Sequence, residues 1–462
     1  MGGRRRRARG PRGDPAGIGR RVPSGGRRAR RAGRGGARVH GPPGRDLCRG
    51  RTGAVTDREP ESSPAGVSYR TTLAVLGPLV VLGALTTDLF LPALPDIARE
   101  LGSDRQLAQL SVGAALIGVA AGQLVGGALS DQIGRRVPLL VGAGVHVVAS
   151  VGIALCSDMA TLLGLRVVQG AGAAAASVVA MAVARDLASG ARLVRLLARL
   201  ALFSGLAPVA APFLGSGLLH AVHWRGLFVV LAVYGVLVAV LCAALLPETR
   251  DIHQPRTRQL ARYRAVLTDR VFLGAAVLGS MACTGVFAYV ASSAFVLRDG
   301  FGLDADLFAI VFAVNAAAFA LGSQLASRLV AATSPRRALV VALPPWLISG
   351  AALIVCEVTS APVGGFLAAS FAFLVAAGAT MPVVQVLGMA SHGARAGTAA
   401  SALGAINFAA PGLLSPLTAA AAPGPIAALG VSITAAGVVG TIALLTMARH
   451  SSRGEARGAA IE

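Results

Sequence analysis

Stretches of about 20 predominantly apolar residues recur along the chain, and polar residues collect in the shorter segments between them. A helix needs about 20 apolar residues to cross the hydrocarbon core of a bilayer. The pattern therefore predicts twelve membrane-spanning helices. We place them at 71–95, 107–129, 137–156, 160–184, 197–219, 226–246, 271–297, 305–329, 337–356, 361–386, 397–422 and 425–448.

The longest polar connection, 247–270, divides these spans into six and six. The segments 122–136 and 322–336 align weakly and fall at the same span of each half, which favours a duplicated unit. Secondary transporters commonly have this plan, with the substrate site between the halves. We expect an all-α integral membrane protein with twelve transmembrane helices in two six-helix pseudo-symmetric bundles. These would be residues 67–246 and 271–448, with a cytoplasmic linker at 247–270 and a cytoplasmic tail at 449–462.

Composition agrees with a lipid environment, because 54% of the residues are hydrophobic and only 14% are charged. A soluble domain of this size needs more charged residues to cover its surface. The net charge is +22, and every basic residue is an arginine. If the N-terminus lies inside, the cytoplasmic connections hold most arginines of the span region, as the positive-inside rule requires. We expect a multi-pass protein of the cell membrane with both termini in the cytoplasm.

The first 66 residues are rich in arginine, glycine and proline, have no apolar core and are predicted to be disordered. Three interpretations remain open for this segment. In the first, the gene model is too long and the true start lies near Val55. Otherwise the segment is a cytoplasmic tail near anionic lipid or a nucleic-acid-binding arm. It has no aromatic residues to stack on bases, so no nucleic acid is expected as a partner.

Two ionisable residues lie well within predicted spans. Asp88 stands in LTTDLFLPALP, where two prolines should interrupt the first span just beyond it, and Arg166 stands in the fourth span. Ionisable residues inside the membrane usually face the bundle interior and serve a function. We expect Asp88 to carry protons and Arg166 to stabilise its charged form. The alternatives are that Asp88 is solvated near the outer interface and that Arg166 is structural, bonded to carbonyl groups.

The segment GALSDQIGRR between the second and third predicted spans has the form G-x-x-x-D-x-x-G-R-R. Glycines at its two ends allow close helix packing and a tight turn. The aspartate can accept hydrogen bonds from an arginine. Two more charges should lie at the inner end of the fourth span. We predict a cytoplasmic gate formed by Gly127, Asp131, Gly134, Arg135, Arg136, Arg185 and Asp186.

This segment resembles the signature loop of the major facilitator superfamily. RVVQGAGAAAA at 166–176 resembles the family's fourth-helix motif, and LPETR at 246–250 its exit from helix six. APVAAPFLGSG at 207–217 resembles the fifth-helix motif of antiporters, although Ala211 and Ser216 stand where glycines are usual. The matching residues of that motif are Pro208, Pro212 and Gly215. TTDLFLPALPDIARELG and RAGTAASALGAINF are similar to the bicyclomycin-resistance (Bcr/CflA) branch, which implies a drug:proton antiporter.

Several polar and aromatic residues within the spans are candidates for the substrate cavity. Buried amides often only bridge helices, and aromatic rings often only fill a core, so these alternatives stay open. The candidates are Gln169, Phe287, Tyr289, Asn315, Gln385 and Asn407, with Gln123 and Gln324 as further amides.

The predicted function is proton-coupled export of small, apolar or amphipathic compounds. The absence of lysine excludes a GxxxxGK phosphate loop, and no metal-ligand cluster appears, so the proton gradient is the expected energy source and no cofactor is expected. The partners would be the substrate, protons and the bilayer, and we expect a monomer without enzymatic activity. Transport of a metabolite such as a sugar or amino acid, and a membrane sensor that moves nothing, are the alternatives.

Overall fold

A computed structural model describes residues 68–249, 259–392, 396–422 and 424–458. Within these ranges the chain is helical, with short turns between the helices. The helices are α1 (Tyr69–Asp88), α2 (Leu94–Glu100), α3 (Arg105–Ile133), α4 (Arg136–Leu155), α5 (Met159–Leu187), α6 (Gly190–Leu219), α7 (Trp224–Leu245), α8 (Gln259–Leu267), α9 (Arg270–Ala294), α10 (Ala305–Ala332), α11 (Pro335–Val358), α12 (Val363–Met389), α13 (Ala396–Ala419) and α14 (Pro425–Gly458). The predicted N-terminal segment, 1–66, lies outside the described residues.

Twelve candidate spans occur in the described part of the chain, which agrees with the prediction from hydrophobicity. Helices α1 and α2 form the first of them, and α8 is the short helix of the linker. The largest disagreement at an end is α14, which continues to Gly458 and thus into the predicted tail, and the largest at a start is α6, which begins at Gly190 and not near 197. The difference at α6 has a simple cause. The first turns of this helix contain arginines, which lower the local hydropathy without opposing helix formation. A search for apolar residues therefore missed them.

The spans form two six-helix bundles, α1–α7 and α9–α14. Glycines bring helices of each bundle into backbone contact at equivalent places. An ideal Cβ on Gly122 of α3 would lie 2.2 Å from the carbonyl oxygen of Ala171 in α5. An ideal Cβ on Gly322 of α10 would lie 1.9 Å from the carbonyl oxygen of Val375 in α12. Small residues of this kind allow the close packing on which helix association in lipid depends.

The two ends of the bundles are named here after the arginine prediction. The outer end carries the connection between α2 and α3, and the inner end carries the connection between α3 and α4. Three helices that begin at the outer end are capped by aspartates: Asp104, Asp158 and Asp304 each accept a hydrogen bond from a backbone N–H of the first turn. A hydrogen-bonded cap of this kind stabilises a helix start by about 1 kcal/mol.

The two bundles are joined by ionic and polar contacts at the outer end. Arg298, which follows α9, lies 3.0 Å from the carboxylate of Asp96 in α2. Ser216 of α6 donates a 2.6 Å hydrogen bond to Asp306 of α10. Around the middle of α6, residues 201–206 are all exposed, and such a run covers every side of a helix. The two contacts therefore close the outer end, while the middle of α6 is left uncovered.

Candidate functional site: a buried acid and arginine at a helix break

The first span is interrupted just after Asp88, as the two prolines predicted. Helix α1 ends at Asp88, a 3-10 turn covers Leu91–Ala93, and α2 begins at Leu94. The prolines stand in the first turns of the two short helices, where a missing N–H leaves no donor unsatisfied. The Asp88 side chain is buried, with an exposed fraction of 6%. The break therefore holds an acid away from solvent.

Arg166 of α5 lies next to this break and is fully buried. Its Nη1 donates to the carbonyl oxygen of Thr86 at 2.8 Å and to Oε1 of Gln169 at 2.6 Å. Its Nε donates a longer bond, 3.4 Å, to the carbonyl oxygen of Ser111 in α3. The guanidinium carbon lies 4.1 Å from the centre of the Phe90 ring, close enough for a cation–π contact. Arg166 thus ties α5 to both ends of the peptide segment that contains Asp88.

One nitrogen of the Arg166 guanidinium makes no hydrogen bond. Its Nη2 is buried and has no hydrogen-bond partner among the described residues. The charges of Arg166 and Asp88 are close enough to interact, but Arg166 donates to Thr86, two residues earlier, and not to the Asp88 carboxyl group. Leaving a buried donor unpaired is costly. Nη2 of Arg166 is therefore suited to donate to the Asp88 carboxyl group when the ionisation state of that group changes.

A chain of hydrogen bonds extends from Arg166 into α4. Gln169 donates to Oγ of Ser150 at 2.8 Å, and Ser150 donates to the carbonyl oxygen of His146 at 2.7 Å. His146 is fully buried, and its Nε2 lies 3.4 Å from Ser150 Oγ. Sequence reasoning missed Ser150 and assigned His146 no role. The spacing of four residues, which places both side chains on one face of a helix, was the available signal.

The predicted fifth-helix motif lies in α6 beside the same break. An ideal Cβ on Gly215 would lie 2.0 Å from the carbonyl oxygen of Leu89, so only glycine fits at this position without displacement. Pro208 and Pro212 lie inside α6, and Pro212 is buried. Ala211 is fully buried, so its methyl group is accommodated in the packing. The motif therefore brings α6 against the residue that follows Asp88.

The candidate cavity residues of the second bundle do not form one cluster. Asn315 donates to the hydroxyl oxygen of Tyr289 at 2.6 Å, and both side chains are buried. Asn407 is buried, with its Oδ1 unpaired in the described part of the chain. Gln385 is exposed, whereas Phe287 is half-buried and lines a cavity toward the outer end. Their assignment to a substrate cavity stays a prediction.

Of the two further amides, Gln324 is exposed, and Gln123 lies beside α13. Its Oε1 would be 2.5 Å from an ideal Cβ on Gly404. Gln123 thus contributes to the contact between α3 and α13, which belong to different bundles.

Charged residues predicted for the cytoplasmic gate meet at the inner end. Nη1 of Arg135 lies 2.6 Å from Asp131 and its Nε lies 2.9 Å from Asp186. Burial alone would lower the pKa of Arg135, but its hydrogen bonds to the two aspartates outweigh burial and raise that pKa above its usual value. Gly134 has φ of +99°, a conformation that favours glycine. Gly127 lies within α3, where an ideal Cβ would meet Val178 of α5 at 3.5 Å.

Glu248 completes this cluster, although it was not named as a site residue. Its carboxylate accepts from the backbone N–H of Arg135 at 2.7 Å and of Arg136 at 3.0 Å, so it holds the start of α4. The signal was present in LPETR, whose glutamate follows the sixth span. Arg185 lies apart from the cluster, and its Nη1 is 4.0 Å from an ideal Cβ on Gly397 of α13.

Replacing Asp131 with asparagine is expected to slow transport several-fold without unfolding the protein. The Asp131 side chain is 45% exposed, and exposed ion pairs contribute about 0–1 kcal/mol to stability. Arg135 keeps Asp186, but the tie between α3 and α4 weakens. Transport rate and thermal unfolding should be measured together, with Asp299→Asn, an exposed acid at the outer end, as the control. Normal transport by Asp131→Asn would refute the gate role.

Comparisons with known proteins place this geometry in a family. The family profile described as "Major Facilitator Superfamily" matches residues 76–416. The uncharacterised transporter YdgK of Bacillus subtilis is 30% identical, over 83% of this chain and 94% of that protein. The bicyclomycin resistance protein homolog of Haemophilus influenzae is 29% identical, over 83% of this chain and 98% of that protein. The multidrug resistance protein MdtL of Escherichia coli O81 is 29% identical, over 71% of this chain and 82% of that protein.

A solved structure agrees with the fold. The partially occluded, inward-open xylose transporter XylE of E. coli superposes with a TM-score of 0.64 at 16% identity, over 82% of this chain and 97% of that chain. Three findings support the same family assignment: the two six-helix bundles, the charged turn between the second and third spans, and the matched family profile. This chain is a transporter of the major facilitator superfamily.

Proposed function

We propose that this transporter exports small, apolar or amphipathic compounds in exchange for protons, and that Asp88 carries the proton. The observation on which this proposal rests is a buried acid at a helix break, next to a buried arginine with an unused donor. Two relatives named for bicyclomycin resistance and multidrug resistance support the export of drugs. We place the protein in the cell membrane, as a monomer with both termini in the cytoplasm.

Two states of Asp88 follow from its surroundings. An ionised carboxylate is expensive to bury without a partner, so the buried acid either holds a proton or needs a donor. The unused Nη2 of Arg166, whose charge interacts with Asp88, is a candidate for that donor. In the proposed cycle, loss of the proton draws the carboxylate toward Arg166, and return of the proton releases it. Each state then favours a different geometry of the helix break.

The break is mechanically connected to the interface between the bundles. The carbonyl group of Leu89 touches Gly215 of α6, and the next residue, Ser216, donates to Asp306 of α10. A change in the backbone after Asp88 therefore moves a helix that is hydrogen-bonded to the other bundle. We therefore expect protonation of Asp88 to act through the Leu89–Gly215 contact on the hydrogen bond between Ser216 and Asp306, which helps to close the outer end. Alternating access requires a coupling of this kind.

The proton gradient supplies enough energy for such a cycle. Moving one charge across a potential of 100 mV is worth about 2.3 kcal/mol. A pH difference of one unit contributes about 1.4 kcal/mol more. One proton entering per molecule expelled therefore sustains a concentration ratio of several hundredfold.

The test is transport by the full chain in proteoliposomes with an imposed pH gradient. We expect bicyclomycin to move against its gradient and the movement to stop when nigericin collapses the pH difference. Liposomes without protein provide the control. Transport that persists after the collapse indicates a uniporter, and bicyclomycin that binds without moving indicates a sensor. Movement of sugars or amino acids but of no drug would support the metabolite alternative.

A further inference from the structure

A cavity of about 400 Å³ lies at the outer end between α3, α13 and the start of α14. A second, narrower chamber of about 20 Å³ adjoins it and reaches deeper between α3, α9 and α13. Gln109, Ser292 and Thr418 line both. The two chambers therefore form one recess that is bounded by both bundles and leads from the outer end toward Phe287.

Gln109 of α3 is the notable polar group of this recess. Its side chain is 7% exposed, and the amide has no hydrogen-bond partner among the described residues. A primary amide offers two donors and an acceptor with two lone pairs, all of which are available to a molecule in the recess. The Ser292 hydroxyl of α9, also without a partner in the described part of the chain, lines the same recess from the other bundle.

The rest of the lining indicates the kind of molecule that fits. Val112, Leu116 and Phe287 give the deep chamber an apolar wall. Asp104 and Arg105 at the mouth carry opposite charges, and the Asp104 carboxylate already accepts a hydrogen bond from the backbone N–H of Leu107. The lining thus offers no unbalanced charge. A volume of about 400 Å³ falls within the range of small-molecule sites.

We propose that this recess is an outer release site, where an uncharged amphipathic substrate rests after leaving the central region and before entering the external solution. The inference depends on the proposed function for the identity of its ligand. Gln109 and Ser292 bind the polar groups of the substrate, and the apolar wall of the deep chamber contacts its apolar part. Because the two residues belong to different bundles, the bound molecule bridges them.

Passage between the central region and the recess requires α3 and α13 to separate. The deep chamber holds about one water molecule, so it is too narrow for a substrate in this closed state. Next to it, an ideal Cβ on Gly113 would lie 2.2 Å from Oγ of Ser415. The wider outer cavity is nevertheless formed. An uncharged substrate added from outside should therefore occupy it while the central route is closed.

Cysteine labelling tests this directly on the full chain in proteoliposomes. Ser292→Cys is treated from outside with a membrane-impermeant maleimide, with and without bicyclomycin as the probe. We expect labelling that bicyclomycin slows at least about fivefold. Ser293→Cys is the matched buried control, because Ser293 is fully buried on the same helix. Thr359→Cys, exposed at the outer end, should be labelled equally with and without bicyclomycin. The unsubstituted protein gives the background of the natural cysteines.

A second variant tests the contribution of Gln109. In the Ser292→Cys background, Gln109→Leu keeps a similar volume but removes the amide, and should raise the bicyclomycin concentration for half-protection about tenfold. Gln132→Leu, an exposed position at the inner end, should leave it unchanged. Failure to label Ser292→Cys while Thr359→Cys reacts, or labelling without protection, overturns the inference. If the unsubstituted protein shows no gradient-driven transport, the proposed function is contradicted. Protection of Ser292→Cys by bicyclomycin would still show that the recess binds this compound.

Discussion

Replacing Asp88 with asparagine is expected to reduce proton-driven efflux to background. The expected loss of rate is at least about 100-fold, which corresponds to an increase of about 2.7 kcal/mol in the activation free energy. Asparagine has nearly the size of aspartate and offers an oxygen that can accept a hydrogen bond, but it neither binds nor releases a proton. Exchange of labelled for unlabelled substrate needs no net proton movement, so it should continue within about twofold of normal. Both rates are measured in the same proteoliposomes.

The matched control for this prediction is Asp304→Asn. Asp304 caps α10 through a 2.8 Å bond to the backbone N–H of Leu307, and asparagine caps helices as well as aspartate does. Efflux by this variant should stay normal. Gradient-driven efflux that survives in Asp88→Asn would contradict the proton-carrier role. Loss of exchange together with efflux would show that Asp88 is needed for substrate binding or for the conformational change itself.

The fold was predictable from the sequence because its main determinant is local. Apolar runs long enough to cross a bilayer set the spans, and Pro92 and Pro95 set the break after Asp88. The charged turn between the second and third spans was also predictable, since Asp131 and Arg135 are only four residues apart and Gly134 between them allows a tight turn. These features depend on residues close together in the chain.

Contacts between distant helices were harder to predict. The acceptors of Arg166 include the carbonyl oxygens of Thr86 and Ser111, and backbone acceptors leave no mark in a sequence. Their positions depend on the axial register of α5 against α1 and α3, which the glycines of α3 allow but do not specify. For the same reason, the sequence predicted that Asn315 is buried and polar without showing that Tyr289 is its partner.

The recess at the outer end illustrates the same limit. Gln109 stands near the start of a predicted span, and an amide so close to the interface would normally be solvated. Its burial results from α9 and α13 of the other bundle, which close over it. Pattern analysis of a single helix cannot anticipate a wall contributed by a helix more than 150 residues away. Inter-bundle sites of this kind therefore require the structure.

Replacing Arg166 with lysine is expected to lower both efflux and substrate exchange about tenfold. A lysine ammonium group has three donors at one point, so it cannot reach the carbonyl of Thr86 and Oε1 of Gln169 while keeping a donor for Asp88. A merely structural role predicts the same loss of exchange whether or not residue 88 is charged. A role through Asp88 predicts that the loss depends on that charge.

The double variant Asp88→Asn/Arg166→Lys separates these two roles. If Arg166 stabilises ionised Asp88, its replacement should cost exchange about tenfold in the presence of Asp88 but no more than about twofold in the Asp88→Asn background, which is a coupling of about 1 kcal/mol. Arg199→Lys, at an exposed position on α6 whose guanidinium faces the Tyr69 ring, is the matched control and should behave normally. Equal losses in both backgrounds would assign Arg166 a structural role. Asp88 would then carry the proton without help from the Arg166 charge. The unused Nη2 of Arg166 would in that case need an acceptor other than Asp88.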